Sequence, residues 1–408
     1  MNILWKKPKD FQYLYLDMNA YFASVEQQEN PHLRFKPIAI TPTICPNGCI
    51  ISPSYEARLH GVKTGMNLKD AKIICPQIIF RSSNTHKYME YHHKIINIIK
   101  NLSPFYYIKS IDELLIKLST QEKNFTNSLQ LAHKIKKEIK KHIGEFVKCS
   151  IGISANSFLA KTAAESKKPD GLTILELKNI KNFYKTQKLT DLCGINWRMQ
   201  NSLNKLNIYT PFDFFNLPIQ TLKQSLGKNG EYWFLKLHGY DIEQFQHIKQ
   251  KLISQSHVLE PRFRSWHLAW PICQKLVYKA AYRLRKLHSE TKKIFLAVIF
   301  LGGDSWKLYL KIPSESDSVN LSKYVKSIWK KIPKFTHSPL KIIIAFTNLH
   351  NKIIKQINLF DDNSKQTSIT NTIDLLNERY KYNIIYPSTI LSAKESAPDR
   401  ISFGRPNI

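Results

Sequence analysis

Three acidic side chains in the first third of the chain stand where metal-assisted phosphoryl or nucleotidyl chemistry needs them. Asp17 follows an apolar run at 13–16, and the adjacent pair Asp112 and Glu113 lies between two further strand-like runs. Such transfer asks for positioning more than covalent work, so it favours carboxylates on adjacent strand ends that hold two Mg²⁺ ions roughly 3.5–4 Å apart. One ion would lower the pKa of an attacking hydroxyl, and the other would hold a triphosphate and its leaving pyrophosphate. By spacing alone the same acids also suit ordinary strand and turn ends, and both readings stay open at this point. Tyr55 and Arg58 lie three apart on a short expected helix, hence on one face, where both reach the same anion.

The elements that must position these residues follow from periodicity. Residues 13–16 predict a strand that stops at Asp17, and 20–28 a helix. The apolar stretch 37–41 leads into 49–52, and 55–59 makes a short helix closed by Gly61, together a small subdomain inserted in the first fold. A helix is expected over 85–102, strands over 105–108 and 114–118, a helix over 129–143, a strand over 149–153 and a helix over 157–165. This alternation implies one sheet backed by helices. From 189 to 240 strand signals vanish and a helical domain is expected. Residues 244–254, polar and basic, read as a linker, after which a β-α-β-β-α-β order appears over 255–260, 272–288, 294–301, 306–312, 321–332 and 340–346. The end, 361–408, holds one expected helix, 369–380, and otherwise reads as tail.

A chain of 408 residues has room for two to four domains. Its 43% hydrophobic and 12% aromatic content argues against disorder. Lys and Arg outnumber Asp and Glu 61 to 31, a net charge of +30 that attracts polyanions. Half of it sits in 251–360, with 20 basic against 5 acidic residues, the footprint of a nucleic-acid grip. Six scattered cysteines imply no disulfide framework, and Cys45 with Cys49 lacks the second pair a zinc site requires. The first ten residues lack the apolar core of a signal peptide, and the longest clean apolar run, 294–301, is far below the ~18 residues of a membrane span. A cytoplasmic chain with no membrane partner is expected.

The wording around the acids resembles the Y-family translesion DNA polymerases. Leu16-Asp17-Met18-Asn19-Ala20-Tyr21-Phe22-Ala23-Ser24-Val25-Glu26 is similar to their first motif, and Ser110-Ile111-Asp112-Glu113 to their second acidic motif. Between them Ser52-Pro53-Ser54-Tyr55-Glu56-Ala57-Arg58-Leu59-His60-Gly61-Val62-Lys63 resembles the finger segment. Gly152-Ile153-Ser154 through Phe158-Leu159-Ala160-Lys161 resembles the later palm motif, and Lys168-Pro169-Asp170-Gly171 and Lys251 with Ser254-Gln255-Ser256-His257 extend the likeness. It covers roughly residues 11–360.

The resemblance implies an α+β right-hand polymerase. A ferredoxin-like palm would occupy 1–34 and 81–186, small fingers 35–80, and a helix-hairpin-helix thumb 187–243. The linker 244–254 would lead to a β-α-β-β-α-β little finger at 255–350 and a tail at 351–408. Asp17, Asp112 and Glu113 would be catalytic, ligating two Mg²⁺ with the Met18 carbonyl. Met18, Tyr21, Phe22, Ser52, Tyr55, Arg58 and Lys161 would line the dNTP site, Phe22 as the steric gate against a ribose 2′-hydroxyl. Cys49 and Ile51 would form the roof over the nascent base pair. Leu192-Cys193-Gly194-Ile195 with Leu203 and Leu206 resembles the thumb hairpin, where a DNA phosphate can rest on backbone amides. Gln356-Ile357-Asn358-Leu359-Phe360 resembles the pentapeptide by which bacterial polymerases bind the sliding clamp, with Gln356, Leu359 and Phe360 as anchors. Implied partners are primer-template DNA, dNTP, the clamp and accessory mutasome subunits.

Three departures mark the chain. Leu114-Leu115-Ile116-Lys117 stands where the family usually has Ala-Tyr-Leu-Asp, Asn19 where an aspartate is frequent, and Asn196 where a second thumb glycine is common. The expected function is low-fidelity translesion synthesis in DNA repair. Its competitor is a non-catalytic relative acting as a DNA- and clamp-binding scaffold, which would have lost the acids.

Overall fold

The computed structural model describes residues 5, 7–45, 48–243, 251–333, 337–351, 364–380 and 384–398. Contacts divide the chain into two compact units, one ending at Phe245 and one over Gln246–Asp399.

The first unit opens with β1 (Tyr13–Met18), α1 (Tyr21–Glu29), β2 (Ile38–Thr41), β3 (Ser52–Pro53), α2 (Tyr55–Leu59), α3 (Leu68–Ile74), β4 (Ile79–Ser82) and α4 (Thr85–Leu102). It continues with β5 (Tyr106–Ile108), β6 (Glu113–Lys117), α5 (Phe125–His142), β7 (Cys149–Ser154), α6 (Ser157–Ser166) and β8 (Leu172–Leu175). A five-stranded sheet in the order β5-β6-β1-β7-β8 carries the unit, and a three-stranded sheet β3-β2-β4 forms the inserted subdomain. β1 is buried along its whole length because both faces are covered. Leu14, Leu16 and Met18 enter the large core with residues of α1, α4 and α5, while Tyr13 and Tyr15 pack against Ala160 and Ala164 of α6.

Helix α6 lies close to the sheet because β7 carries Gly152. A Cβ there would stand 2.0 Å from the Ala160 carbonyl oxygen and 2.3 Å from the Ala164 nitrogen, distances no side chain tolerates. The departure over 114–117 is absorbed by packing. Leu114 and Ile116 join the main core, Leu115 joins the tyrosines under α6, and β6 keeps an unbroken register with β1.

Helices α7 (Ile180–Thr186), α8 (Trp197–Asn204), α9 (Pro211–Asn216), α10 (Ile219–Leu226) and α11 (Lys228–Leu237) follow around their own core. Gly194 turns with φ +91°. Asn196 caps α8, its side chain accepting the Met199 N–H at 2.9 Å, so this departure serves as a helix start. Leu192, Ile195 and Leu203 are buried as a hairpin core requires, but Leu206 is exposed.

The second unit runs β9 (Leu252–Val258), α12 (Trp266–Lys286), β10 (Ser289–Phe300), β11 (Ser305–Glu315), α13 (Ser318–Trp329), β12 (Pro339–Asn351) and α14 (Ser364–Arg379). Its strands form an antiparallel sheet in the order β11-β10-β12-β9. Ile294, Leu296, Val298 and Phe300 are buried, and Ile294 and Leu296 belong to a core shared with Ile272, Leu276 and Leu284 of α12. Alternation then directs Lys293 and Phe295 to the other face, with Tyr309 and Lys311 opposite them on β11.

Two boundaries differ from expectation. The linker assignment ran to Ser254, but Leu252 already pairs with Thr347 in the sheet. Beyond 363 the chain is not simply tail. Arg285 grips Asp374 of α14 with two bonds of 2.6 and 2.9 Å. The Lys275 ammonium donates to the carbonyl oxygens of Ala393, Lys394 and Ser396 at 3.2, 2.8 and 2.6 Å. Ile390, Ala393 and Ala397 complete the core of the unit. The reason is that most of these partners are backbone carbonyls and single polar groups, which leave no periodic mark in a sequence.

Candidate active site

β1 and β6 run antiparallel in a register that sets Asp17 opposite Glu113. Side chains two apart on a strand share a face, so Tyr15 and Asp17 both look toward α6. That helix adds Lys161 and Glu165, one turn apart. One carboxylate oxygen from each of Asp17, Glu113 and Glu165 lies within 4.8 Å of the other two. Two ammonium groups stand among them. Lys161 Nζ is 2.7 Å from Glu113 Oε1 and 3.9 Å from Glu165 Oε1, and Lys168 Nζ is 2.7 Å from Asp17 Oδ1. The Tyr15 hydroxyl donates to Glu113 Oε2 at 2.8 Å, and Lys161 Nζ lies 5.5 Å from its ring centroid.

Burial governs the electrostatics. Desolvation pushes the Asp17 carboxyl up to about 7 despite its contact with Lys168, and the nearby charges of Asp112 and Glu113 add to the rise. Burial also raises Asp112, against the bond it accepts from Ser110 Oγ at 2.5 Å. In Glu113, burial is outweighed by the Lys161 ammonium and the Tyr15 hydroxyl, and the carboxyl falls below its ordinary value. Glu165 is raised by burial. Four carboxylates against two ammonium groups leave two formal negative charges in a desolvated place. All the donors are hard oxygens, so the set fits Mg²⁺ and not a thiolate-seeking metal.

Asp112 stands next to the three clustered acids, near enough for its charge to raise Asp17, and its carboxylate accepts the Ser110 hydroxyl. Its carbonyl accepts the Met18 N–H at 2.9 Å. Glu165 is the third member of the group. Tyr21, expected at the nucleotide, spends its hydroxyl on the Tyr88 carbonyl at 2.7 Å inside the core. Phe22 is 4% exposed and stacks on Tyr88 with ring centroids 4.7 Å apart. Tyr55 packs on the main core near enough to feel the Asp17 charge. Arg58 is exposed, with its guanidinium 5.3 Å from the Tyr55 ring centroid and Nε donating to the Pro53 carbonyl at 3.2 Å. Ser52 is buried in β3, Ile51 packs on the same core as Tyr55, and Cys49 is exposed in a bridge with Asn67. Gln356, Leu359 and Phe360 lie outside the described residues.

Three site residues escaped sequence reasoning. Glu165 was legible as the i+4 neighbour of Lys161, and Tyr15 as the residue two before Asp17. Lys168 had no local signal beyond its turn sequence.

Residues 16–165 match the impB/mucB/samB family. DNA polymerase IV of Pelotomaculum thermopropionicum is 37% identical over 229 residues, a match spanning 56% of each chain. DNA polymerase IV of Bacillus velezensis is 27% identical over 402 residues, 96% of each chain. Among solved structures, a Y-family DNA polymerase chimera of Dbh and Dpo4 matches with a TM-score of 0.73 at 24% identity, covering 83% of this chain and 99% of that one. The chain has the fold of the Y-family DNA polymerases. An insertion ternary complex of Dbh DNA polymerase shares the Y-family fold at a TM-score of 0.58 and 23% identity, with coverage of 83% and 99%. The right-hand α+β architecture expected from the motifs is thereby met. Among the described residues, no helix is long and apolar enough to cross a membrane.

Proposed function

We propose that the chain is a template-directed DNA polymerase that performs low-fidelity translesion synthesis in DNA repair, in the cytoplasm. The observation that carries this reading is the buried pairing of Asp17 with Glu113 across β1 and β6, with Lys161 and Lys168 drawn into the same acids. Asp17, Asp112 and Glu113 with the Met18 carbonyl would hold two Mg²⁺, and Glu165 extends that set. When bound, such ions lower the pKa of a primer 3′-hydroxyl and steady the charge on the departing pyrophosphate.

The chain's own groups bind and orient. Lys161 and Lys168 sit on long flexible stems and exchange carboxylate for triphosphate oxygens when nucleotide enters, joined by Tyr55 and Arg58 from α2. Phe22, wedged against Tyr88, is a rigid ring that leaves no room for a ribose 2′-hydroxyl. Cys49 and Ile51 roof the base pair. The five-stranded sheet serves as palm (1–34, 81–186), the small sheet as fingers (35–80) and helices α8 to α11 as thumb (187–243). After the linker, the β9–β12 unit serves as little finger, its helix-free face gripping duplex DNA through Lys293 and Lys311. Gln356, Leu359 and Phe360 dock the sliding clamp, and accessory mutasome subunits join through the same assembly.

Primer extension with Mg²⁺ tests the reading. The wild-type chain should extend a primed template, and Asp17→Ala, Asp112→Ala and Glu113→Ala should each lower the rate by at least about 10³-fold while DNA binding persists, since a transition-state contact of about 4 kcal/mol is lost. A wild-type chain that shifts DNA in a gel yet adds no nucleotide would leave a scaffold in its place.

A further inference from the structure

Asn19 stands where Y-family chains frequently carry aspartate, and its surroundings give the amide a task. The residue is 2% exposed. Its Oδ1 accepts the Asp170 N–H at 2.7 Å, and its Nδ2 donates to Ser150 Oγ at 3.0 Å. Because a backbone N–H only donates, the amide orientation is fixed by that first bond. Ser150 Oγ in turn accepts the Gly171 N–H at 3.1 Å and lies 3.2 Å from the Lys167 carbonyl, to which it donates. From α5, Lys136 Nζ reaches the carbonyls of Asp170 and Gly171 at 2.7 and 3.3 Å and Asp170 Oδ1 at 2.6 Å. The backbone of the turn 167–171 is therefore held at three of its five residues, Lys167, Asp170 and Gly171, and Lys168 between them is the residue whose ammonium rests on Asp17. Gly171 completes the turn, since a Cβ there would stand 1.8 Å from the Lys167 carbonyl oxygen.

We propose that Asn19 is a positioning residue that, with Ser150, holds the 167–171 turn so that Lys168 meets the incoming triphosphate. This rests on the polymerase reading for the identity of the anion, but the hold on the turn does not. The amide supplies a donor and an acceptor at once, which no hydrophobic residue of its size does. A carboxylate at this position keeps the bond from Asp170 but only accepts. The Ser150 proton then turns toward it, and the Lys167 carbonyl loses its donor.

The test pairs steady-state primer extension with amide hydrogen exchange on the peptide covering 167–171. Asn19→Ala is expected to raise KM for dNTP about tenfold with kcat changed less than about threefold, and to speed exchange in 167–171 without speeding it in β1 or α6. Asn19→Asp should recover most of the KM. Ser150→Ala, a smaller change, should move both readouts in the same direction and serves if Asn19→Ala does not fold. In a Lys168→Ala background, Asn19→Ala should add no further rise in KM, because the group it places is gone. An unchanged exchange rate in 167–171, or a KM effect that adds fully to that of Lys168→Ala, overturns the proposal. A wild-type chain without extension activity sinks the polymerase reading alone, and the exchange measurement still decides whether Asn19 holds the turn.

Discussion

Tyr15 is the residue whose single atom does most for its neighbours. Its hydroxyl fixes one Glu113 oxygen while Lys161 fixes the other, so the carboxylate cannot rotate. Tyr15→Phe keeps the ring that packs under α6 and removes only this bond. We expect extension to slow roughly tenfold, the loss of one hydrogen bond to a charged group, with the melting temperature nearly unchanged. A wild-type rate across a Mg²⁺ titration would show that Glu113 needs no such anchor. Asp17, Glu113 and Lys161, which the structure brings together, each sit in a run of neighbours that marks them in the sequence. Glu165 and Tyr15 were missed although spacing puts them on the faces of Lys161 and Asp17, because their part depends on which strand and helix faces meet, and one-dimensional spacing gives only one element's face at a time.

At the scale of elements, the close seat of α6 on the sheet delivers Lys161 and Glu165 to the acids, and Gly152 permits that seat. Gly152→Ala must push the helix outward against the Ala160 and Ala164 backbone. The expected cost is about 1–3 kcal/mol, the usual penalty for overpacking, seen as a lower denaturation midpoint together with a larger fall in extension rate. If stability drops and activity does not, the helix seat and the site are independent. Periodicity located β1, α2, α4, β7 and α6 to within a few residues, because these elements bury one clear face or two. The departure at 114–117 looked like a threat to the strand beside two acids. Leu114, Leu115 and Ile116 are apolar and β-compatible, so the sheet kept its register and only the identity of the packing changed.

For the molecule as a whole, the net charge of the 251–360 stretch coincides with the second unit, whose helix-free face shows Lys293 and Lys311 around the Phe295–Tyr309 pair. Replacing both lysines with glutamine should weaken DNA binding equally on any sequence and make the log-affinity slope against log salt shallower by about 2. An unchanged slope would mean that the phosphates lie elsewhere. The closing segment of this unit was illegible because Lys275 binds backbone carbonyls and Arg285 finds Asp374 across 89 residues. Lys275→Met strips three carbonyls of their donor, and a loss of about 3 kcal/mol is expected, measured as a lower unfolding midpoint.

The ammonium groups of Lys161 and Lys168 already answer the buried acids from within the chain. Folding therefore borrows nothing from cation supply, unlike small metal-nucleated domains whose binding energy is their folding energy. Chelation should silence the chemistry and leave the thermal transition within a few degrees of its place, and magnesium should add only the modest mass-action gain of any ligand that prefers the native state. Such a protein can wait, folded and intact, through ionic conditions in which it does no work.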